Sequence, residues 1–320
     1  MVVRAVSENS SMSGWPNKPV LIVVCGPTAS GKTSTSLQLA KKLSCPILSF
    51  DSRQFYREMN IGTAKPSPED LAAAEHHFIN CRSVSDPVYT AGIFETDALL
   101  CLNAIFEKNR CCIAVGGSGL YIDALCYGID DIPKDEKIRN QLNAQVATGG
   151  LAILQQRLAE IDPEYYATTD IRNPRRIVRG LEVFHITGKK LSELRVNQKK
   201  IRPFNVVWIG LNPEREALFG RINQRVEEMI QTGLESETKN LLEFRSSKAL
   251  QTLGYREMFD FLDEKTDLVE TVRLIQRNSR IYAKKQLTWF RRNTEIQWFD
   301  PEAGNSGIIE YVHKKVGEMV

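Results

Sequence analysis

The stretch Val20-Leu-Ile-Val-Val-Cys-Gly-Pro-Thr-Ala-Ser-Gly-Lys-Thr33 constrains this chain more than any other. It opens on consecutive apolar, mostly β-branched residues, the composition of a strand buried on both faces. Directly after them, Gly26-Pro27-Thr28-Ala29-Ser30-Gly31-Lys32-Thr33 has the spacing glycine, four residues, then Gly-Lys-Ser/Thr. Between a strand and a helix, such a loop holds a phosphate chain. Its backbone N–H groups curl round the anion, Lys32 adds a positive charge, Thr33 offers a hydroxyl to Mg²⁺, and the helix presents its positive end. Residues Gly26 to Thr33 are thus the expected phosphate site, with Thr33 as the expected Mg²⁺ ligand.

A length of 320 residues suits two domains or one large α/β domain with an insertion. The composition, 42% hydrophobic and 25% charged, excludes a disordered chain or a fibre. A net charge of +3 identifies no partner, so any nucleic-acid signal must come from where the basic residues lie. Cys25, Cys45, Cys81, Cys101, Cys111, Cys112 and Cys126 sit mostly inside apolar runs and include no Cys-x-x-Cys pair, the usage of reduced thiols in the cytosol rather than of disulfides or zinc. No apolar run approaches the roughly 18 residues of a membrane span. Residues 1–18 read as a loose N-terminal extension without the apolar core of a signal peptide.

Leu37, Leu39, Ala40 and Leu43 give the helix after the loop an apolar side, and Cys45 to Phe50 reads as a second buried strand. Asp51 lies just past its end. In an open parallel sheet, ligands bind beyond the carboxyl ends of the strands, which would set Asp51 beside the phosphate loop; a turn-capping aspartate is the alternative. The segments Asp51-Ser-Arg-Gln-Phe-Tyr56 and Asn60-Ile-Gly-Thr-Ala-Lys-Pro66 read as an active-site loop. A third strand, Cys111 to Val115, closes in Gly116-Gly117 where a nucleoside-triphosphatase would carry an aspartate for Mg²⁺, which argues against a motor or ATPase.

From about Asp130 the pattern is helical until Phe204 to Leu211, which reads as a strand returning to the sheet, so 130–202 is expected to be a helical insertion between 19–129 and 203–320. Within it, Asn173, Pro174 and Gly188 are the start and stop signals of one helix. Its Arg175 and Arg179 share a face, either solvated or turned to nucleic acid. A further helix opens at Asn212-Pro213 with a buried stripe of Leu218, Ile222, Val226, Met229 and Ile230. Arg221 and Arg225 lie on another of its faces, as surface arginines or as a lid pair over phosphates. Along about Leu268 to Arg292, Arg273, Arg277, Arg280 and Lys284 recur at helical spacing as a second basic face, with Trp289 and Phe290 as core anchors.

The phosphate loop, Asp51-Ser-Arg-Gln-Phe-Tyr56 and Ile61-Gly-Thr-Ala-Lys-Pro66 together resemble the tRNA dimethylallyltransferases, or tRNA isopentenyltransferases. Val115-Gly-Gly-Ser-Gly-Leu-Tyr121, Asn173 to Val183, Arg221-Ile-Asn-Gln-Arg225 and Gln251-Thr-Leu-Gly-Tyr-Arg-Glu257 extend the resemblance over about residues 20 to 300. No Cys/His cluster stands near the C-terminus, so the similarity is to bacterial members rather than to eukaryotic ones with their zinc finger. Ser118 stands where the family more often has threonine.

The resemblance implies an α/β fold like that of P-loop nucleoside-triphosphate hydrolases, a parallel sheet with a helical, tRNA-binding insertion. It implies transfer of a dimethylallyl group from its diphosphate to the exocyclic amine of the adenine 3′ of the anticodon, in tRNAs reading codons that begin with U. Asp51, Lys32, Thr33 and Arg225 would carry the chemistry, and Gly26 to Thr33 with Arg221 and Arg225 would hold the diphosphate. The tRNA would be met by Asp51, Ser52, Arg53, Gln54, Ser118, by Arg175, Arg176, Ile177, Val178 and Arg179, and by Gln251, Thr252, Leu253, Gly254, Tyr255 and Arg256. Mg²⁺, a monomer and a cytoplasmic location complete the expectation. An adenylate isopentenyltransferase acting on a free nucleotide and a small-molecule P-loop kinase are the alternatives.

Overall fold

The computed structural model describes residues 17–195 and 198–319; the expected extension falls outside it except for its last two residues. Six strands form one parallel sheet: β1 Val20–Cys25, β2 Ile47–Ser49, β3 His76–His77, β4 Cys111–Gly116, β5 Asn205–Leu211 and β6 Gln297–Phe299, in the order β3-β2-β4-β1-β5-β6. β1 is central and its residues are wholly buried. Val20, Ile22 and Val24 pack on one face with Leu39 and Ala40 of helix Lys32–Leu43 and with Ile308 and Val312 of helix Ser306–Met319. Leu21, Val23 and Cys25, which alternate with them, are equally buried on the other face. Each such side chain contributes roughly 1.5–3 kcal/mol, so the strand before the phosphate loop is the most firmly held part of the sheet.

The register determines what meets at the sheet's carboxyl edge. Cys25 lies opposite Gly116 on one side and Gly210 on the other, and Ser49 lies opposite Val115. The residues that follow, Gly26, Gly117 and Phe50-Asp51, therefore emerge side by side, as expected for a ligand site in an open α/β sheet. Gly116 is needed for this close approach: a Cβ there would stand 2.7 Å from the Phe50 ring and 2.9 Å from the Asp51 nitrogen. Strands β3 and β6 were not foreseen; they are two and three residues long, too short to show a periodicity.

Residues Tyr127–Lys200 form a second compact unit. Its helices Glu136–Gly149, Leu151–Ile161, Pro163–Thr168 and Pro174–Thr187 enclose a core that includes Leu142, Leu154, Leu158, Tyr165, Ile177, Val178 and Leu181. Helix Pro174–Thr187 begins and ends as its sequence signals require: the Asn173 side chain accepts from the Arg175 N–H, and Gly188 closes it in a left-handed conformation. The fully buried Glu182 carboxylate is bonded by Arg139 (2.9 Å), Arg179 (3.0 Å) and the Asp135 N–H (2.9 Å). Burial works against its charge, but these donors hold it below the usual carboxylate range.

Candidate functional site

The loop after β1 turns through left-handed residues, Ala29 (φ 61°) and Gly31 (φ 87°), and Gly31 caps helix Lys32–Leu43 without a side-chain bond. That backbone leaves the helix N-terminus open to an anion. Lys32 Nζ donates to the Pro27 carbonyl across the loop. Burial first, and then the charge of Arg225, push its pKa down to about 8, while Asp51 and Cys25 oppose the shift. Arg225, on helix Arg215–Gln231, donates to the Thr28 hydroxyl at 3.1 Å. Its own pKa is lowered by burial, against the favourable charges of Glu228 and Asp51. Two half-buried cations thus converge on a short loop, and a bound anion would relieve their repulsion.

Further unmet polar atoms surround the loop. The Ser30 hydroxyl and two guanidinium nitrogens of Arg221, Nε and Nη2, are buried without a hydrogen-bond partner among the described residues. Arg221 lies one turn before Arg225, and its Nη2 is in an ion pair of 3.6 Å with Glu302. Buried donors without a hydrogen bond are costly, and an anion at the loop would satisfy them. Thr33 lies in the first turn with no partner for its hydroxyl among the described residues, a hard oxygen donor of the kind that, together with phosphate oxygens, suits Mg²⁺.

Asp51 caps its turn and lies close enough to the phosphate loop for its charge to reach it. Its Oδ1 accepts from the Arg53 N–H at 3.0 Å, while no hydrogen bond engages Oδ2 among the described residues, and its charge acts on both Lys32 and Arg225. The Ser52 N–H donates to the Ser118 hydroxyl at 3.0 Å, joining the loop after β2 to the one after β4. Arg53 donates to the carbonyls of Lys248 and Ala249, and the Gln54 amide to those of Thr63 and Ala64.

Helix Leu268–Phe290 supplies two residues that sequence reasoning missed. Gln286 accepts from the Thr28 N–H at 2.8 Å and donates to the Gly117 carbonyl at 2.9 Å, tying the phosphate loop to the end of β4. Its signal was available: Ile275, Ser279, Ala283, Gln286 and Phe290 form the buried stripe, and an amide in such a stripe requires fixed partners. Tyr282 exposes 42% of its surface, yet its phenol is pushed up to about 12 by loss of water and by Asp51, with Arg53 and the Ser118 hydroxyl opposing.

Burial and bonding divide the residues expected to meet tRNA into exposed and internal ones. Ile177 and Val178 belong to the core of the 127–200 unit. Arg179 is spent on Glu182 and on the carbonyls of Ile132 and Pro133, whereas Arg175 and Arg176 are exposed. Tyr255 is wholly buried with its hydroxyl on Glu237, and Gly254 is buried beside it; Gln251 and Arg256 are exposed, and Thr252 and Leu253 half-buried. On helix Leu268–Phe290, Arg273 grips Glu270 through two bonds of 2.6 Å and Arg280 is held by Asn223, which leaves Arg277 and Lys284 as the exposed members without a hydrogen bond among the described residues. Trp289 is an anchor, its indole N–H donating to Asp123 at 2.8 Å, and Phe290 is in the core.

A phosphate loop at the carboxyl edge of a parallel sheet, with two converging cations and an aspartate beside it and glycines at the end of β4, places the chain among phosphate-loop α/β proteins. The sequence profile of one such family, IPP transferase, matches residues 54–293, and the chain belongs to that family. A tRNA dimethylallyltransferase of Christiangramia forsetii is 46% identical over 297 residues, covering 92% of this chain and 98% of that protein. The crystal structure of a tRNA isopentenylpyrophosphate transferase from Bacillus halodurans superimposes with a TM-score of 0.70 at 38% identity, over 94% of this chain and 98% of that one. A eukaryotic dimethylallyltransferase acting on tRNA shares the fold, with a TM-score of 0.78 at 24% identity over 94% of this chain and 80% of that one.

Proposed function

We propose that this chain transfers a dimethylallyl group from dimethylallyl diphosphate to the exocyclic amine of the adenine immediately 3′ of the anticodon, in tRNAs reading codons that begin with U. Its relatives are named tRNA dimethylallyltransferases, which supports the transfer of a dimethylallyl group to tRNA. The observation that carries the reading is Asp51: an aspartate beside the phosphate loop, with one carboxylate oxygen fixing the turn and the other without a hydrogen bond among the described residues.

The diphosphate occupies the loop Gly26–Thr33. As the allylic carbon–oxygen bond breaks, its electron pair passes to the leaving oxygen, and Lys32, Arg225 and Arg221 neutralise the charge that collects there. The adenine amine forms the new carbon–nitrogen bond and gives its proton to the Asp51 carboxylate. An aryl amine is a poor nucleophile until that proton starts to leave, so a positioned base is worth roughly 10²- to 10⁴-fold. Thr33 would hold Mg²⁺, which adds positive charge at the diphosphate when bound. The glycines ending β4 stand where a nucleoside-triphosphatase carries its aspartate for Mg²⁺, so the nucleoside-triphosphatase reaction finds no support in these residues.

A stacked anticodon-loop base must be extruded to reach Asp51. Ser52, Arg53, Gln54 and Ser118 border that position, with Tyr282 beside them. Arg175 and Arg176 of the 127–200 unit, with Arg277 and Lys284, are the exposed cations for the RNA backbone. The protein works as a cytoplasmic monomer in this reading; among the described residues no helix is long and apolar enough to cross a membrane. Labelled dimethylallyl diphosphate offered in parallel to unmodified tRNA, an anticodon stem-loop and AMP tests it. Label on AMP alone, or phosphoryl transfer from labelled ATP, would replace it by the nucleotide prenyltransferase or the kinase.

A further inference from the structure

The loop that carries Asp51 to Gln54 is built on a carboxylate far away in sequence. Glu237, on helix Leu234–Asn240, accepts four hydrogen bonds: Asn60 N–H (2.9 Å) and Ile61 N–H (2.8 Å) on Oε2, Gly62 N–H (3.0 Å) and the Tyr255 hydroxyl (2.7 Å) on Oε1. The three N–H groups are those of the 3₁₀ turn Ile61–Thr63 and its cap, so the carboxylate sits at the positive end of that turn and fills all its acceptor directions. Tyr255 packs against Gly62: a Cβ there would lie 2.6 Å from the ring. On the other side of the turn, Lys65 donates to the Tyr56 carbonyl and to the side chains of Asn60 and Asn80.

The turn in turn holds the site. The carbonyls of Thr63 and Ala64, just past the N–H groups gripped by Glu237, receive the Gln54 amide (3.4 and 3.2 Å). Gln54 N–H donates to the Asp51 carbonyl at 3.1 Å. A second tie, Arg53 to Ala249 at 3.0 Å, ends on the segment that leads into Tyr255. We infer that Glu237 and Tyr255 are positioning residues for the prenyl transfer, setting Asp51 through the turn 60–64 and Gln54, and that the Gln251–Arg256 motif serves the site by this scaffold and not through a Tyr255–RNA contact. The inference rests on Asp51 being the proton acceptor.

Glutamine at 237 keeps the shape but turns an NH₂ towards donors, so at least one N–H of the turn, that of Gly62 or those of Asn60 and Ile61, loses its acceptor and faces another donor. A misplacement of about 1 Å can cost on the order of 10²-fold in rate. In single-turnover transfer on saturating tRNA, Glu237→Gln should slow the chemical step roughly ten- to a hundredfold, with tRNA affinity and the KM for dimethylallyl diphosphate within a few fold of wild type. Tyr255→Phe, which removes one bond and leaves the fold's packing intact, should act in the same direction but less. The decisive readout is a double-mutant cycle with Asp51→Asn: once the base is gone its placement no longer matters, so either substitution should cost less than about threefold more. Equal losses in both backgrounds, or normal rates in both single variants, overturn the inference alone. A near-normal rate in Asp51→Asn by itself overturns the reading of Asp51, and the inference with it.

Discussion

Replacing Asp51 by asparagine separates the turn bond seen in the structure from the proposed role of this side chain as base. Oδ1 accepts from the Arg53 N–H at 3.0 Å, and asparagine supplies an equivalent oxygen, so the turn should persist with a stability change of only a few tenths of a kcal/mol. What is lost is the charge and the capacity to take a proton. If the free oxygen receives the amine proton, single-turnover transfer should fall by roughly 10²- to 10⁴-fold, equivalent to about 2.7–5.4 kcal/mol of barrier. Removing a negative charge that acts on Lys32 and Arg225 has an opposite effect on the neighbouring anion site: inhibition by pyrophosphate should stay the same or tighten. Transfer rate and pyrophosphate inhibition, measured on the same variant beside a melting curve and a tRNA binding isotherm, therefore move in different directions. A rate within a few fold of wild type, or a rate loss matched by weaker pyrophosphate binding, would refute the base assignment in favour of a purely structural cap.

Lys32, lowered to about 8, should be largely neutral in the free enzyme above that pH, so pyrophosphate affinity should fall as pH rises through 8, and calorimetry at pH 9 in two buffers of different ionisation enthalpy should show proton uptake that Lys32→Met abolishes. Gln286→Leu should destabilise the protein by roughly 2–6 kcal/mol in urea melts and weaken pyrophosphate binding, because the Thr28 N–H and the Gly117 carbonyl both lose their partner. Arg179→Ala should cost about 1–3 kcal/mol of stability by removing a charge-assisted bond from buried Glu182, while Arg175→Ala should leave stability within about 0.5 kcal/mol and lower the slope of tRNA affinity against salt by up to about 0.9.

The parts of the molecule legible in the sequence are those determined by local chemistry. β1 announces itself because both faces are buried, the phosphate loop because only glycines at fixed spacing let its backbone curl, and helix Pro174–Thr187 because Asn173, Pro174 and Gly188 each satisfy a terminal requirement of a helix. The arginines show where this stops. Arg175 and Arg179 are indistinguishable by periodicity, yet one is exposed and the other is fixed by Glu182 and two carbonyls from residues more than forty positions earlier. Helical spacing reports which residues share a face, not which of them find a partner across the core.

The same limit explains why Glu237 escaped attention and Asp51 did not. Asp51 follows a recognisable strand, and the topology of open parallel sheets assigns such positions to the ligand edge. Glu237 lies in a short helix of unremarkable composition; its meaning comes wholly from three N–H groups about 175 residues away in the chain. A site of this kind has two layers with different visibility. Residues that touch phosphate or adenine are restricted by chemistry common to all such ligands, and so they form motifs. Residues that place them are restricted by the geometry of one fold, and become evident only when the turn 60–64, Gln54 and Asp51 are seen as a single hydrogen-bonded path. Tyr255 spans the two layers: it belongs to a motif, but its burial under Gly62 and its bond to Glu237 show that the motif there preserves a scaffold.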